Sequence, residues 1–377
     1  MDFVVWLLSY VIPFLAVLTV IVFVHEMGHY LVARWNGVAI QSFSVGFGRE
    51  LFGFTDRLGT RWKISAIPLG GYVRFAGDMN AASVPDPDAI ADVDPAMAKH
   101  LFVNKSVWQR IAIVAAGPAA NVLLTFLILY ALLVGYGRFT IPAVIDEVLP
   151  ASVAEAAGLQ SGDMITGVDG YAVRGFEDFQ RLVATAPQRQ VSIDLDRGGA
   201  PLTLTLVPDI VEVEDRFGNT QRIGRIGVTR NVENAELTLY RPDPVEAVGM
   251  TLEEIRFIID RTAAFLGDFF VGRGQIEQLG GPVRVAQVSG EVATLGVIAL
   301  INLTALLSLN IGIFNLLPVP MLDGGHLLYY LIEAVRGRPL SQRMQEAGFR
   351  IGFALVIALM AFTLVNDTVL AYLRSAG

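Results

Sequence analysis

Four long apolar runs divide the chain, at residues 3–34, 107–134, 292–314 and 351–370. At a rise of about 1.5 Å per residue, each is long enough to cross about 30 Å of hydrocarbon, so the pattern predicts four transmembrane helices. Pro13 predicts a kink in the first. The third run continues into Asn315-Leu316-Leu317-Pro318-Val319-Pro320-Met321-Leu322-Asp323-Gly324-Gly325-His326, where two prolines must end the helix before an apolar period resumes over residues 327–335. Non-helical backbone at membrane depth is tolerated only where it is buried in protein or lines a polar cavity. The break therefore marks a candidate site.

The segments between the runs carry a different period. Residues 38–75 alternate apolar and polar positions and are punctuated by Gly46, Gly48, Gly53, Gly59, Gly70 and Gly71, which predicts membrane-associated β-hairpins. Residues 61–73 read as a strand with an open edge. That edge, with Gly70 and Gly71, either accepts an unwound substrate as an added strand or belongs to an ordinary structural sheet. Residues 78–94, rich in Ala, Asp and Pro, predict a flexible connector. Residues 141–208 predict a small β-rich domain with strands at 144–148, 191–195 and 202–207 and a short helix at 176–186. Within it, Ala151-Ser152-Val153-Ala154-Glu155-Ala156-Ala157-Gly158-Leu159-Gln160-Ser161-Gly162-Asp163-Met164-Ile165 resembles the part of bacterial PDZ domains where a short helix leads into G-L-x-x-G-D and a strand. The resemblance implies a groove that binds a peptide by strand addition; a structural spacer is the other reading. A strand-like piece at 223–228 has no evident domain. Residues 251–270 are amphipathic, and Glu253, Glu254, Arg256, Asp260, Arg261 and Asp268 make spanning costly, so a helix lying on the outer membrane surface is expected.

Composition agrees with a membrane setting. Of 377 residues 53% are apolar and only 17% charged, against about 25% charged in soluble chains. Mean hydropathy is +0.53. A formal net charge of −8 argues against nucleic acid as a partner. The absence of cysteine removes disulfides and thiolate ligands from consideration. The opening run lacks a charged leader and a small-residue cleavage site, and is expected to be a retained span rather than a signal peptide. Arg336, Arg338, Arg343 and Arg350 lie between the last two runs, and Arg34, Arg49, Arg57, Arg61, Lys63, Arg74, Lys99 and Lys105 between the first two. By the positive-inside rule both loops are cytoplasmic, which sends both termini and the β-rich domain outward.

The chemistry sits at the end of the first run, in His25-Glu26-Met27-Gly28-His29. On a helix this H-E-x-x-H pattern puts two imidazoles on one face, where they can share Zn²⁺, and leaves Glu26 free to act on water. A hydrolytic zinc site usually has three protein ligands. Of the two other histidines, His100 lies in a polar loop and His326 follows the proline-broken segment. A carboxylate at the end of an apolar segment is costly unless paired, and a metal cation is such a partner, so Asp323 is the expected third ligand. The other reading of Asp323 is a loop carboxylate at the membrane surface.

H-E-x-x-H in the first span, Gly117-Pro118-Ala119-Ala120-Asn121 in the second, the G-L-x-x-G-D stretch and Asn315 through Gly325 together resemble the site-2 protease family of intramembrane zinc metalloproteases, in its bacterial branch. The resemblance implies Zn²⁺ held by His25, His29 and Asp323, Glu26 as general base, and Asn315 either holding substrate or tying off the broken helix. Asn121 fits substrate contact or, better, helix packing through small residues. His326 fits a second donor behind the ligands or a turn residue. One PDZ-like domain is evident, where close members of the branch often carry two. The expected fold is a polytopic α-helical membrane protein with a membrane-associated β-hairpin region and an extracytoplasmic β-rich PDZ-like domain. Its parts are residues 1–136, with the motif helix, hairpin and second span; 137–208, PDZ-like; 209–291, a linker with the amphipathic helix; and 292–377, the last spans. The expected activity is hydrolysis of peptide bonds in single-span membrane proteins, as in anti-sigma-factor cleavage or clearance of remnant signal peptides, in the bacterial inner membrane with the site towards the cytoplasm. Membrane lipid and a peptide ligand of the PDZ-like domain are the other expected partners. A silent scaffold would not need Glu26 and Asp323, and a metal transporter would carry ligating residues along several spans.

Overall fold

The structure, a computed structural model, describes residues 7–77, 95–214, 220–231, 237–270 and 281–375. The expected connector at 78–94 lies outside the described residues. Among the described residues, four helices are long and apolar enough to cross a membrane, over Leu7–Trp35, Val107–Tyr136, Val297–Asn315 and Arg343–Thr363. By contacts the chain forms two units, residues 1–129 with 279–377, and residues 130–278.

In the first unit, a π-helical turn at Leu7–Val11 runs into α1, Ile12–Trp35, with Pro13 in its opening turn. Pro13 has no N–H for the carbonyl four residues back, so the irregular turn forms in front of it. Strands β1 (Ile40–Thr55) and β2 (Arg61–Phe75) follow. Both strands bend. Ser42 to Val45 partner Arg74 to Gly71 on one side and Arg61 to Ile64 on the other, while the far half of β1, Phe52 to Thr55, pairs with Ile64 to Arg61. The bends fall at Gly46 and Gly48 in β1 and Gly70 in β2, all with positive φ. Tyr30, Phe43, Val73, Phe75, Phe102 and Ile113 build the core that joins the sheet to its helices. Leu51, Phe52, Phe54, Leu58 and Ile64 on the outer half remain exposed.

A short helix α2 (Pro95–Ala98) precedes α3 (Val107–Tyr136), which carries Pro118 inside it. In the second unit β3 (Arg138–Thr140), β4 (Glu147–Val148), α4 (Val153–Ala156), β5 (Met164–Val168), β6 (Tyr171–Ala172), α5 (Phe176–Ala184), β7 (Val191–Arg197) and β8 (Ala200–Leu206) come first. The Ser152 hydroxyl caps α4 by accepting the Glu155 N–H, while the Glu155 carboxylate accepts the Ala151 N–H at 2.6 Å. Strands β6-β5-β7-β8 form one sheet, and Ile145, Ile165, Phe179, Leu182, Ile193 and Leu195 fill the core beneath α5.

Then come β9 (Asp209–Glu214), β10 (Thr220–Arg225), β11 (Val228–Thr229), β12 (Thr238–Tyr240) and α6 (Pro244–Phe270). The piece that the sequence leaves without a domain is claimed here, since β11 pairs with β4 and Ile226 enters the same core. The expected surface helix also differs. Phe257 of α6 is buried in the domain core, and Glu253 and Glu254 bond Arg174 and Arg181 at 2.7 and 2.5 Å. The charges that would burden a span are thus matched to the β-rich domain.

The first unit resumes with α7 (Pro282–Thr294), α8 (Val297–Asn315), α9 (Asp323–Arg336) and α10 (Gln342–Ser375). Two boundaries correct the sequence reading. Residues 292–294 belong to α7, because Gly296, at φ +109°, breaks the chain before the apolar helix begins. After the prolines the helix resumes at Asp323 rather than at residue 327, with Met321 at φ +87° making the turn. Asp323-Gly324-Gly325 is therefore a first helical turn. A Cβ on Gly324 would lie 2.2 Å from the Leu317 carbonyl oxygen, so only glycine lets this turn pack on the descending segment.

Candidate active site

His25 and His29 lie one turn apart on α1, both buried, with their Nε2 atoms 3.2 Å apart. The start of α9 brings Asp323 to them: its Oδ2 is 3.0 Å from His25 Nε2 and its Oδ1 is 3.5 Å from His29 Nε2. One ligand atom from each residue falls within 4.8 Å of the other two. Donors around a tetrahedral ion at bonds of about 2.0–2.2 Å stand about 3.3–3.6 Å apart, and the separations here, 3.0, 3.2 and 3.5 Å, lie at or a few tenths of an ångström below that. The chemistry of the set also suits a cation. His29 Nδ1–H donates to the Ile113 carbonyl at 2.9 Å, which leaves Nε2 with a lone pair aimed at a carboxylate. Asp323 Oδ2 is buried, and the polar atom it faces at 3.0 Å is His25 Nε2. A Cβ on Gly117 would lie 2.2 Å from His29 Nε2 and 2.9 Å from His25 Nε2, so the space in front of the imidazoles exists because α3 has glycine there. A metal ion fits these residues.

Glu26 stands among His25, His29 and Asp323, and the Val73 backbone amide donates to its carboxylate. Residues 70–73 of β2 thus run beside the motif helix. Gly71 allows it, since a Cβ would lie 2.7 Å from the Ser44 carbonyl oxygen and 2.9 Å from Val22. At Gly70 a Cβ would lie 2.5 Å from the Phe47 ring. A cavity of about 610 Å³ is lined by Glu26, Gly70, Gly71, Asn315, Asp323 and His326 together with His25 and His29.

Residues 13–359 match the model of Peptidase family M50. The chain belongs to peptidase family M50. A candidate zinc metalloprotease of Rhizobium meliloti is 46% identical over 361 residues, 96% of each chain. The regulator of sigma-E protease RseP of Escherichia coli is 30% identical over an alignment of 451 positions, covering 94% of this chain and 97% of that one. That alignment is longer than the 377 residues here, so RseP holds inserted sequence that this peptidase lacks. A solved PDZ domain of an SdrC-like protein from Listeria monocytogenes covers 24% of this chain and 90% of its own, at 22% identity and a TM-score of 0.18.

In this M50 peptidase the structure brings His25, Glu26, His29, Asp323, Asn315, Gly70 and Gly71 to one cavity. His100 stays away, on the Gly37 carbonyl at 2.8 Å. His326 lies one turn beyond Asp323 with its ring against Phe349 at 5.3 Å, inside the cavity wall. The residue that sequence reasoning placed in helix packing is Asn121. It is fully buried and its amide stands 3.2 Å from His25 Nδ1. A polar residue in an otherwise apolar span was the available signal.

Proposed function

We propose that this peptidase is a zinc endopeptidase that cuts membrane-spanning segments of other proteins, with His25, His29 and Asp323 as ligands and Glu26 as general base. The observation that carries this reading is the meeting of three metal-ligating side chains and one further carboxylate on a single cavity wall. The motif histidines sit on a helix apolar enough to span a membrane. Zinc bound there supplies a Lewis acid that polarises the scissile carbonyl and brings the pKa of water down to about 7. Glu26 takes the proton from the attacking water and returns it to the leaving amine nitrogen, so one carboxylate serves both halves of the reaction. A helix hides its scissile amides within its own hydrogen bonds. On this reading the segment at Gly70 and Gly71 holds the unwound substrate as an added strand beside the base, and the Asn315 amide bonds the substrate backbone.

The substrates are single-span membrane proteins, such as anti-sigma factors or remnant signal peptides, and the β-rich domain holds an extended peptide in a PDZ-like groove. The basic loops support a multi-pass protein of the bacterial inner membrane, with that domain outward and the site towards the cytoplasm.

The test is cleavage of a tagged single-span substrate by purified protein in detergent. Glu26→Gln is expected to lower the rate by about 10²–10⁴-fold while the protein retains zinc, and chelation to abolish cleavage. Equal cleavage by wild type and Glu26→Gln would remove the reading.

A further inference from the structure

Asn121 is a buried polar side chain that the chemistry above does not use. It belongs to a row on α3. Ile113, Gly117 and Asn121 are spaced four apart and so stack on one helix face, the face turned to the two imidazoles. The Ile113 carbonyl takes the Nδ1–H of His29 and frees its Nε2. Gly117 leaves the room in front of both Nε2 atoms. Asn121 stands in relation to His25 as the Ile113 carbonyl does to His29.

His25 Nε2 points into the cluster, 3.2 Å from His29 Nε2 and 3.0 Å from Asp323. When that nitrogen ligates a metal, the ring proton sits on Nδ1 and needs an acceptor opposite. With the amide nitrogen of Asn121 toward the ring, two donors face each other, and Asn121 Oδ1 is left buried with no hydrogen bond. A half-turn of the amide exchanges oxygen and nitrogen, which are nearly equal in size, without repacking. We propose that Asn121 is a positioning residue whose side-chain carbonyl accepts the His25 Nδ1–H and holds the ring in the tautomer and orientation that present Nε2 to zinc.

The support for Asn121 is built in. Its backbone carbonyl accepts the Ser308 hydroxyl at 3.1 Å and the Thr125 hydroxyl at 2.9 Å. Gly312 of α8 passes so closely that a Cβ there would lie 3.2 Å from the Asn121 Cβ. The crossing of α3 and α8 therefore sets the height of the amide against His25.

The inference rests on the zinc reading of the site, and zinc affinity tests the two separately. Full-length protein in detergent is titrated with zinc against a chromogenic chelator, and the cobalt-substituted form gives a ligand-field spectrum. Asn121→Leu, with the same branched outline but bulkier methyl ends, removes the acceptor and is expected to weaken zinc by about 10–100-fold and to shift the cobalt bands. Asn121→Asp keeps an acceptor but has no amide donor, and is expected to bind zinc at least as tightly as wild type with the wild-type spectrum. Unchanged affinity in Asn121→Leu, or an equal loss in both variants, would overturn the assignment. If the leucine variant does not fold, Asn121→Asp decides alone between acceptor and donor, because a role for the amide as donor predicts that it fails. Absence of zinc binding by the wild type would overturn both readings.

Discussion

Gly28 and Gly117 shape the site by what they lack. A Cβ on Gly28 would lie 2.2 Å from the Ala116 carbonyl oxygen, so α1 and α3 approach closely where His25 and His29 sit. That Gly28 is the second variable position of H-E-x-x-H could be read from the sequence; that α3 is what it touches could not. Outside the membrane segments, Asp163 shows how a single charge is stabilised. Burial pushes its carboxyl up, but hydrogen bonds from Arg197 at 2.7 and 2.8 Å and from the Gln160 backbone N–H at 2.8 Å outweigh this and hold it below the usual carboxylate value. A carboxyl lowered in the folded state adds stability that is present above its unfolded value, about pH 4, and lost as pH falls through the folded one. Calorimetry of the full chain against pH is therefore expected to show the β-rich domain losing stability below about pH 4. Arg197→Ala should lower its midpoint at neutral pH and flatten that acid-side fall.

Elements with a strong period were legible and those that depend on partners were not. The helices at 107–136 and 342–375 follow from apolar runs, and α5 from its spacing of Phe179, Leu182 and Val183. Helix α6 was legible as a helix, but its destination was not, since an amphipathic face suits a lipid surface and a protein surface alike. The matching charges on α5 and its preceding loop, Arg181 and Arg174, decided it. Phe257 is the apolar anchor, 7% exposed, with Arg181 over its ring at 4.3 Å. Phe257→Ala is expected to cost about 3–5 kcal/mol of docking and packing. Hydrogen exchange should then show α6 amides losing protection while those of β7 keep theirs; equal loss in both would mean that α6 is integral to the domain core.

For the whole molecule, orientation is the property most open to direct test, and the chain has no cysteine to interfere. In inverted and right-side-out vesicles, Gln160→Cys in the β-rich domain should label only from the outer face, and Arg338→Cys, between α9 and α10, only from the cytoplasmic face. Labelling of each from the opposite face would reverse this orientation, and labelling of both from one side would rule it out. The local pattern determined what is local: long helices apolar enough to cross a membrane, a glycine-punctuated hairpin, a β-rich middle, and an H-E-x-x-H turn whose two imidazoles share a face because a helix repeats every 3.6 residues. Tertiary structure alone decided what depends on residues far apart in the chain. It placed Asp323, nearly three hundred residues on, against His25 and His29, laid Val73 on Glu26, returned β11 to β4, and set Asn121 behind His25. These are contacts between elements, and periodicity says which face of an element is apolar without saying which neighbour will cover it.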